Sequence, residues 1–183
     1  SLANAGAAPR VLRLVRAADT LGRDISGQGQ ALSPGASGSR PLLVQVLDGD
    51  GDPVSGVGVV FQVEPGFDPQ GNSHYNGGLH PLQPAAGDSL VRYAQRGPRL
   101  TAASAAKSLR VASDKLGYAG AYFYPGPRVE TVRVTAWLEG RRAVETSLVL
   151  RVIDPRWQLL LWSGLLGGLA LFLVGMRMTT SGL

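Results

Sequence analysis

The sequence of 183 residues contains no cysteine. This absence excludes disulfide bonds, thiolate metal sites, c-type haem attachment and cysteine nucleophiles, while a chain of this length can build a core without disulfides. Histidine occurs only at His74 and His80, with Tyr75 between them. No cysteine or nearby carboxylate pair completes a metal site around the two imidazoles. We therefore interpret both as surface histidines and predict no metal ligand there.

Recognisable catalytic and nucleic-acid-binding patterns are also missing. The chain has neither a P-loop nor a G-x-S-x-G nucleophile turn. Lys and Arg number 18 against 13 Asp and Glu, but the positive residues are scattered, and only Arg141 and Arg142 are adjacent. Nucleic-acid-binding domains concentrate basic residues on one face. We predict a non-enzyme with no catalytic residues, no cofactor and no nucleic-acid partner.

One acidic cluster has the spacing of a calcium loop. Asp48, Asp50 and Asp52 follow the pattern D-x-D-x-D. An EF-hand loop also needs glycine at its sixth position and glutamate at its twelfth. Here those positions hold Pro53 and Val59. The cluster is therefore interpreted as a polar turn between strands.

Short apolar runs separated by Gly- and Pro-rich turns recur along the chain, as expected for β-strands. The runs are 10–16, 42–47, 57–63, 109–112, 119–124, 131–138 and 143–153. Apolar residues alternate with polar ones, which predicts that Val44, Val46, Val59, Phe61 and Val63 form one buried face. Short strands with frequent turns predict an all-β fold, an antiparallel β-sandwich.

The predicted domain organisation has three parts. Residues 1–9 form a flexible tail, 10–153 the β-sandwich, and 154–183 a linker with one transmembrane helix. Within the sandwich, 64–100 is rich in Gly, Pro, Asn, Gln and Ser, which predicts a long irregular insertion. The sequence begins at Ser1 instead of methionine, and the small residues that follow suit a signal-peptidase site. We therefore expect a processed, exported protein.

The longest apolar run is near the C-terminus. Eighteen uncharged residues extend from Leu159 to Met176. As a helix they would span about 27 Å, close to the roughly 30 Å hydrocarbon core of a bilayer. The run has no ionisable residue that would mark an ion path and no histidine that would ligate a haem or chlorophyll metal. It is therefore predicted to anchor or dock.

Glycines give this segment a smooth side. Gly164 and Gly168 form a G-x-x-x-G pair, Gly175 extends the same face, and Gly167 lies beside it. Glycines let the backbone of a second helix approach closely, although glycine is also common in membrane helices generally. We favour the packing role and predict that these four residues form a helix-packing interface.

Arg156, Trp157, Trp162 and Arg177 lie towards the ends of the segment, and we predict that they are membrane-interface anchors. Two arginines, Arg151 and Arg156, precede the segment, and one, Arg177, follows it. Because positive residues favour the cytoplasmic side, this distribution mildly opposes export of the β-domain. Charge bias has little weight for large translocated domains. We expect the β-domain on the periplasmic side of a bacterial inner membrane, crossed once by the chain.

Two stretches resemble a known domain family. PLLVQVLDGDGDPVSGVGVVFQV at 41–63 and SDKLGYAGAYFYPGPRVETVRVTAWLEG at 113–140 resemble bacterial immunoglobulin-like domains of the invasin/intimin type. The first matches a strand, a D-x-x-G-x-P-V-x-G turn and a V-x-V-x-F strand, which form that family's first hairpin. This resemblance implies an immunoglobulin-like β-sandwich used for adhesion, spacing or docking, without catalysis.

The last stretch resembles part of another family. GLALFLVGMRMTTSGL at 168–183 is similar to the first membrane helix of bacterial Na⁺/phosphate cotransporter family proteins, with departures at Thr179 and Ser181. In that family the ion and phosphate sites lie on later helices with Q-S-S-type repeats, which this sequence lacks. One helix cannot enclose a translocation pathway, so transport by this chain alone is not expected.

These observations predict an accessory, structural subunit of a larger integral membrane complex. Its partners would be the lipid bilayer and other membrane subunits, with bacterial photosynthetic and respiratory complexes as candidate hosts. One alternative is the N-terminal portion of a Na⁺/phosphate cotransporter family protein. A second is a surface module for adhesion or ligand binding.

Overall fold

The computed structural model of the chain describes residues 11–19, 21–36, 40–82, 105–154 and 156–180. These residues belong to two compact units, which divide between Ile153 and Asp154. The first unit is built mostly of strands, and the second contains one apolar helix. The tail predicted at 1–9 lies outside the described residues.

The described elements follow one another in a simple order. They are β1 (Arg13–Arg16), β2 (Ala31–Leu32), β3 (Leu42–Leu47), β4 (Gly58–Val63), β5 (Gly66–Phe67), β6 (Ser73–His74), β7 (Gly77–Pro81), β8 (Ser108–Ala112), β9 (Tyr118–Pro125), β10 (Thr131–Leu138), β11 (Arg141–Val152) and α1 (Trp157–Thr180).

The strands form two main sheets and one small hairpin. One sheet has the order β1-β3-β9-β7, the other has the order β2-β11-β10-β4-β8, and β5 pairs with β6. The pairings are antiparallel with one exception, because β2 runs parallel to β11. The predicted antiparallel sandwich contained no parallel pair. The parallel pair of β2 and β11 forms because the chain crosses from β1 in one sheet to β2 in the other before it returns to β3.

Both sheets contribute to one apolar core. The five residues predicted to share a buried face are all completely buried, which confirms the period-two pattern. Strand β10 shows the same alternation, with buried residues at every second position and exposed Thr131 and Arg133 between them. The core also includes Phe123 of β9 and Leu148 of β11, so side chains from both sheets meet there.

The expectation that β3 and β4 form a hairpin was wrong, because they belong to different sheets. After β3 the chain turns back on itself, and the Val54 N–H donates to the Val46 carbonyl at 3.0 Å. The returning segment therefore occupies the position next to β3. The chain then crosses to the other sheet, where Gly58 pairs with Ala112 of β8.

The stretch predicted to be an irregular insertion contains strands in its first part. Strand β7 pairs with β9 at the edge of the four-stranded sheet, and β5 and β6 form their own hairpin. Glycine-rich β7 lacks the alternation that marks a strand in sequence, yet Leu79 is completely buried. The rest of the predicted insertion, from residue 83, lies outside the described residues.

A second, smaller core covers the other face of the four-stranded sheet. Tyr122 of β9 and Leu43 of β3 pack there with Ala17 and Leu82. Strand β9 is therefore buried on both of its faces for most of its length. Its run of alanine, glycine and aromatic residues reflects this double burial, since Gly120 lies where a Cβ would collide with the side chains of Leu43 and Leu82.

Candidate functional site

Helix α1 is apolar on all sides. Its segment Leu159–Arg177 has a mean hydropathy of 2.1, and none of it is buried by the rest of the described chain. A helix of a globular protein normally shows one apolar stripe and one polar face. By length and composition, α1 is therefore able to cross a membrane.

The four glycines of α1 lie in open space. A Cβ added at Gly164, Gly167, Gly168 or Gly175 would meet no side chain or neighbouring segment within 4 Å. Since successive helical residues turn by about 100°, Gly168 and Gly175 lie about 40° and 20° round from Gly164, and Gly167 about 60° the other way. The glycines predicted to form an interface therefore share one side of the helix.

One large side chain interrupts that side. Leu171 is seven residues after Gly164 and lies about 20° from it round the helix. Its side chain is 76% exposed. The glycine side therefore consists of a shallow depression at Gly164 and Gly168, a projecting leucine, and a second depression at Gly175. Sequence reasoning overlooked Leu171, although its spacing was visible.

The predicted anchors bracket the helix. Arg156 precedes its first residue, Trp157, and Arg177 lies near its end. The two arginines are 21 residues apart, or about 31 Å in a helix, which matches a bilayer core of roughly 30 Å. Trp162 is exposed but lies about one and a half turns inside the helix. The membrane-interface role expected of Trp162 stays a prediction.

The acidic cluster after β3 is a turn of a kind that recurs in this chain. The Asp48 carboxylate accepts hydrogen bonds from the backbone N–H groups of Asp50 at 3.1 Å and Asp52 at 2.9 Å. The Asp114 carboxylate does the same for Leu116 and Tyr118. No group of metal-ligating side chains occurs among the described residues. The polar-turn interpretation accounts for this geometry.

The same D-x-x-G-x turn begins at Asp19, Asp48, Asp68 and Asp114. In each, the glycine N–H donates to the aspartate carbonyl, and the aspartate N–H donates to the carbonyl of the fifth residue. Each glycine has a positive φ, between 74° and 94°. The copies at Asp48 and Asp114 lie within the stretches that resemble immunoglobulin-like domains, but the four turns were not recognised in the sequence as one repeated motif.

Three of these turns contain a group with a shifted pKa, and in the first of them hydrogen bonds from the backbone and side chain of Arg23 lower the pKa of Asp19. Hydrogen bonds from the side chain and backbone of Asn72 lower the pKa of Asp68, and the positive charge of Arg128 adds to the effect. Near the Asp114 turn, partial burial raises the pKa of Tyr118, with the charges of Asp114 and Asp19 contributing. These shifts follow from turn geometry and from packing.

The two histidines do not form a site together. The His74 Nε2 atom contacts both carboxylate oxygens of Glu130, at 3.0 and 3.1 Å. His80 is 6% exposed within β7, and its ring meets Tyr124 edge to face. The expectation that both are surface histidines was therefore wrong, since β7 was not predicted as a strand and its burial was not foreseen.

A groove lies beside Tyr75 and Tyr124, with a volume of about 520 Å³. Its lining is mostly tyrosine, proline and glycine, and Lys107 is its one charged residue among those described. The Lys107 ammonium lies 4.3 Å from the centre of the Tyr75 ring, and the Tyr124 hydroxyl donates to the Gly35 carbonyl at 3.0 Å. The described lining contains no nucleophile with an adjacent base.

The end of the first unit where β11 finishes carries exposed apolar side chains. This surface, termed the β11 end, comprises Phe67, Tyr75, Val129 and Ile153. The opposite end, termed the turn end, carries the acidic turns that begin at Asp48 and Asp114, together with the β10–β11 turn at Glu139 and Gly140. Sequence reasoning did not find the β11 end, because its members come from separate segments.

No protein-family model matches the chain, and no curated protein matches it. Two features of the described chain gather exposed apolar side chains that its own packing does not cover. These are helix α1 with its glycine side, and the β11 end of the first unit.

Proposed function

We propose that the chain is a non-catalytic, membrane-anchored accessory subunit that docks onto a larger integral membrane complex. The observation that carries this proposal is the combination found in α1. The helix is apolar all round and uncovered by the described chain, and its glycines lie together in open space. Lipid would cover the bulky sides, and a neighbouring helix would approach the glycine side closely.

The depressions at Gly164 and Gly168 and the projecting Leu171 suit a partner of matching shape. Helices in membranes associate through close packing, because lipid tails are as apolar as leucine and provide no hydrophobic driving force between helices. A partner helix would fill the first depression and accommodate Leu171. The proposed partner is therefore a transmembrane helix of another subunit.

The first unit is proposed to be an immunoglobulin-like sandwich. Seven of its strands, β1, β3, β4, β7, β9, β10 and β11, take the places A to G of that fold in chain order. The sheet orders β1-β3-β9-β7 and β11-β10-β4 then correspond to A-B-E-D and G-F-C. Strands β2 and β8 are additions at the outer positions of the second sheet. This correspondence supports a module for spacing or docking.

We place the helix in a bacterial inner membrane and the first unit on the periplasmic side. The proposed membrane location is supported by the length and hydropathy of α1. The periplasmic side is a proposal that protease accessibility of the first unit tests. A photosynthetic or respiratory complex is the proposed type of host.

The anchoring part of the proposal is tested by fractionation. The full chain should stay in the membrane pellet after alkaline carbonate washing and enter solution only with detergent. Release by carbonate alone would contradict membrane anchoring. Accessibility of the first unit to protease in intact spheroplasts would support its periplasmic location, and protection would contradict it.

The docking part is tested by purification in mild detergent with mass spectrometry. The double variant Gly164→Leu with Gly168→Leu fills the depression while keeping the helix apolar, so it should remain in the membrane and lose its partner subunits. The matched control, Leu166→Phe with Leu169→Phe, adds volume on the far side and should keep them. Retention by the glycine double variant would overturn docking through this side.

The cotransporter alternative makes a different prediction about the gene. Continuation of its open reading frame past Leu183 into further hydrophobic segments with Q-S-S motifs would favour that alternative. A stoichiometric set of partners copurifying with a single-span chain would favour the accessory subunit.

A further inference from the structure

The β11 end is a small cluster held together at Glu130. The Glu130 carbonyl accepts a hydrogen bond from the Val152 N–H at 2.9 Å, which ties it to the end of β11. Its carboxylate contacts His74 of β6 at 3.0 Å. Val129 directly precedes Glu130. Residues from the β9–β10 loop, the β5–β6 hairpin and the end of β11 therefore share one surface.

The exposed apolar side chains surround this junction. Phe67 follows Gly66, whose position is close enough to Glu130 that an added Cβ would lie 3.2 Å from its carboxylate. Phe67 is 70% exposed and Val129 58% exposed. Tyr75, next to His74, and Ile153, next to Val152, complete the set. Exposed apolar groups gathered on one surface mark an interaction site more often than scattered ones do.

The link from this surface to the helix is short. The Ile153 N–H still donates to the Leu32 carbonyl at 2.8 Å, so the strand structure holds the chain up to that residue. Helix α1 begins at Trp157, four residues later. Four residues reach at most about 14 Å when fully extended. The chain therefore leads from Ile153 of the β11 end into α1 through a short link.

The proposal rests on the proposed function, in which α1 spans the bilayer. We propose that the β11 end itself binds the lipid bilayer, with Phe67 and Val129 entering the headgroup layer next to the helix. That layer is about 5–7 Å deep on each side of the hydrocarbon core, and aromatic side chains favour it. Tyr75 and Ile153 extend the same contact.

Charges at this surface indicate an apolar contact. The positive charge of Arg128 acts on Asp68, Lys107 lies over the Tyr75 ring, and Glu130 meets His74. These groups thus interact within the protein. We expect the contact to form equally on neutral phosphatidylcholine vesicles and on vesicles containing anionic phosphatidylglycerol.

The turn end provides the contrast. Its exposed apolar side chains, Val11 and Leu116, lie next to the acidic turns that begin at Asp48 and Asp114. Strand β11 runs from Arg141, beside the turn end, to Val152, so the turn end lies a strand's length from the residues that lead into α1. The turn end is therefore expected to stay in water.

The test uses the full chain reconstituted in phospholipid vesicles. Because the sequence lacks cysteine, single variants Phe67→Cys, Val129→Cys, Leu116→Cys and Leu166→Cys each accept one environment-sensitive fluorophore. Lipids carrying nitroxide groups then quench fluorophores that reach the bilayer. We expect blue-shifted, quenched emission at positions 67 and 129, and unshifted, unquenched emission at position 116.

Position 166, within α1, reports separately on anchoring. Quenching at 166 without quenching at 67 and 129 would overturn bilayer binding by the β11 end while leaving anchoring intact, and would point to a protein partner for that surface. A label at 166 that is not quenched would contradict the proposed function. Quenching at 67 and 129 that equals quenching at 116 would also overturn the inference, because the contact would not be specific to this end.

Discussion

Two enclosed glycines of the β-rich unit, Gly78 and Gly117, differ from the glycines of α1 in what surrounds them. At Gly117 an added Cβ would lie 2.5 Å from the Val46 carbonyl oxygen, and at Gly78 it would lie 2.6 Å from the Cβ of Ala105. At Gly164 and Gly168 it would meet nothing within 4 Å. Packing within the chain therefore explains Gly78 and Gly117, and a positive φ explains turn glycines such as Gly22, which lies in open space. Neither explanation applies to the helix glycines.

This difference separates stability from association. Filling an enclosed position should destabilise the fold, because neighbouring backbone must move. Filling an open position on α1 should leave the fold unchanged and affect only what packs against the helix. Similar glycine substitutions are thus expected to lower the free energy of unfolding in the β-rich unit and to change association with a partner helix in α1.

The largest effect is expected at Gly117. The variant Gly117→Ala places a Cβ against the Val46 carbonyl at a residue with φ of 74°. We expect a loss of about 3 kcal/mol in the free energy of unfolding, from left-handed strain plus the collision. Urea titration of the full chain in detergent, followed by near-ultraviolet circular dichroism, measures this loss.

Gly22 provides the matched control. It occupies the equivalent position of another D-x-x-G-x turn and has the same φ of 74°, but an added Cβ meets nothing within 4 Å. Gly22→Ala should therefore cost only the strain, about 1–2 kcal/mol. Equal losses for the two variants would show that enclosure at Gly117 contributes nothing.

The next largest effect is expected at Asn76, which ties the β9–β10 loop to the start of β7. Its Nδ2 donates to the Arg128 carbonyl at 2.6 Å, and its Oδ1 accepts from the Arg128 N–H at 3.1 Å. Asn76 is 2% exposed. Asn76→Ala should cost about 2 kcal/mol, because it leaves two backbone groups of Arg128 without these partners.

Asn72 is the control for this loss. Its side chain makes a hydrogen bond with Asp68, but it lies exposed in the turn between β5 and β6. Asn72→Ala should change the free energy of unfolding by less than about 0.5 kcal/mol. A small loss for Asn76→Ala in the same urea titration would contradict a stabilising role of the two hydrogen bonds between Asn76 and Arg128.

A smaller effect, of a different kind, is expected in α1. Gly168→Ala should leave the unfolding of the β-rich unit within about 0.5 kcal/mol of the original chain. It should weaken association with the partner helix by on the order of 1 kcal/mol. The fraction of chain that retains partner subunits during detergent titration measures this weakening. Ala170→Val, about 120° round the helix from Gly164, should retain them.

Sequence patterns predicted the alternating strands well and the glycine-rich ones poorly. Strands β4 and β10 were visible because one face is buried and the other is not. Strand β7, with the sequence GGLHP, has no such alternation, so its place beside β9 depends on long-range pairing. The supposed β3–β4 hairpin failed for the same reason, since local turn chemistry does not specify which sheet receives the next strand.

The candidate sites show the same limit. The helix glycines are visible because they lie within one regular element of known period. The β11 end is assembled from Phe67, Val129 and Ile153, which are far apart in sequence and are brought together by contacts at Glu130. Only the fold reveals this surface.

The smallest effect is expected at Asp68. Its turn has the same form as the Asp114 turn but is open, since an added Cβ at Gly71 meets nothing within 4 Å. Hydrogen bonds from Asn72 lower the folded pKa of Asp68 below its ordinary value of 3.8. The ionised carboxylate therefore stabilises the fold at pH values above 3.8, the ordinary pKa. This stabilisation is lost as the pH falls through the lowered pKa of the folded state.

Asp68→Asn should consequently be slightly less stable than the original chain at neutral pH, and the difference should vanish in strong acid. Thermal unfolding across an acidic pH series measures it. In an Asn72→Ala background the difference should shrink, because the largest cause of the pKa shift is removed. A difference that grows as the pH falls would contradict this origin. In that case packing, and not the hydrogen bonds of the turn, would explain how Asp68 stabilises the fold. The contrast between open and enclosed glycines would then not extend to this turn.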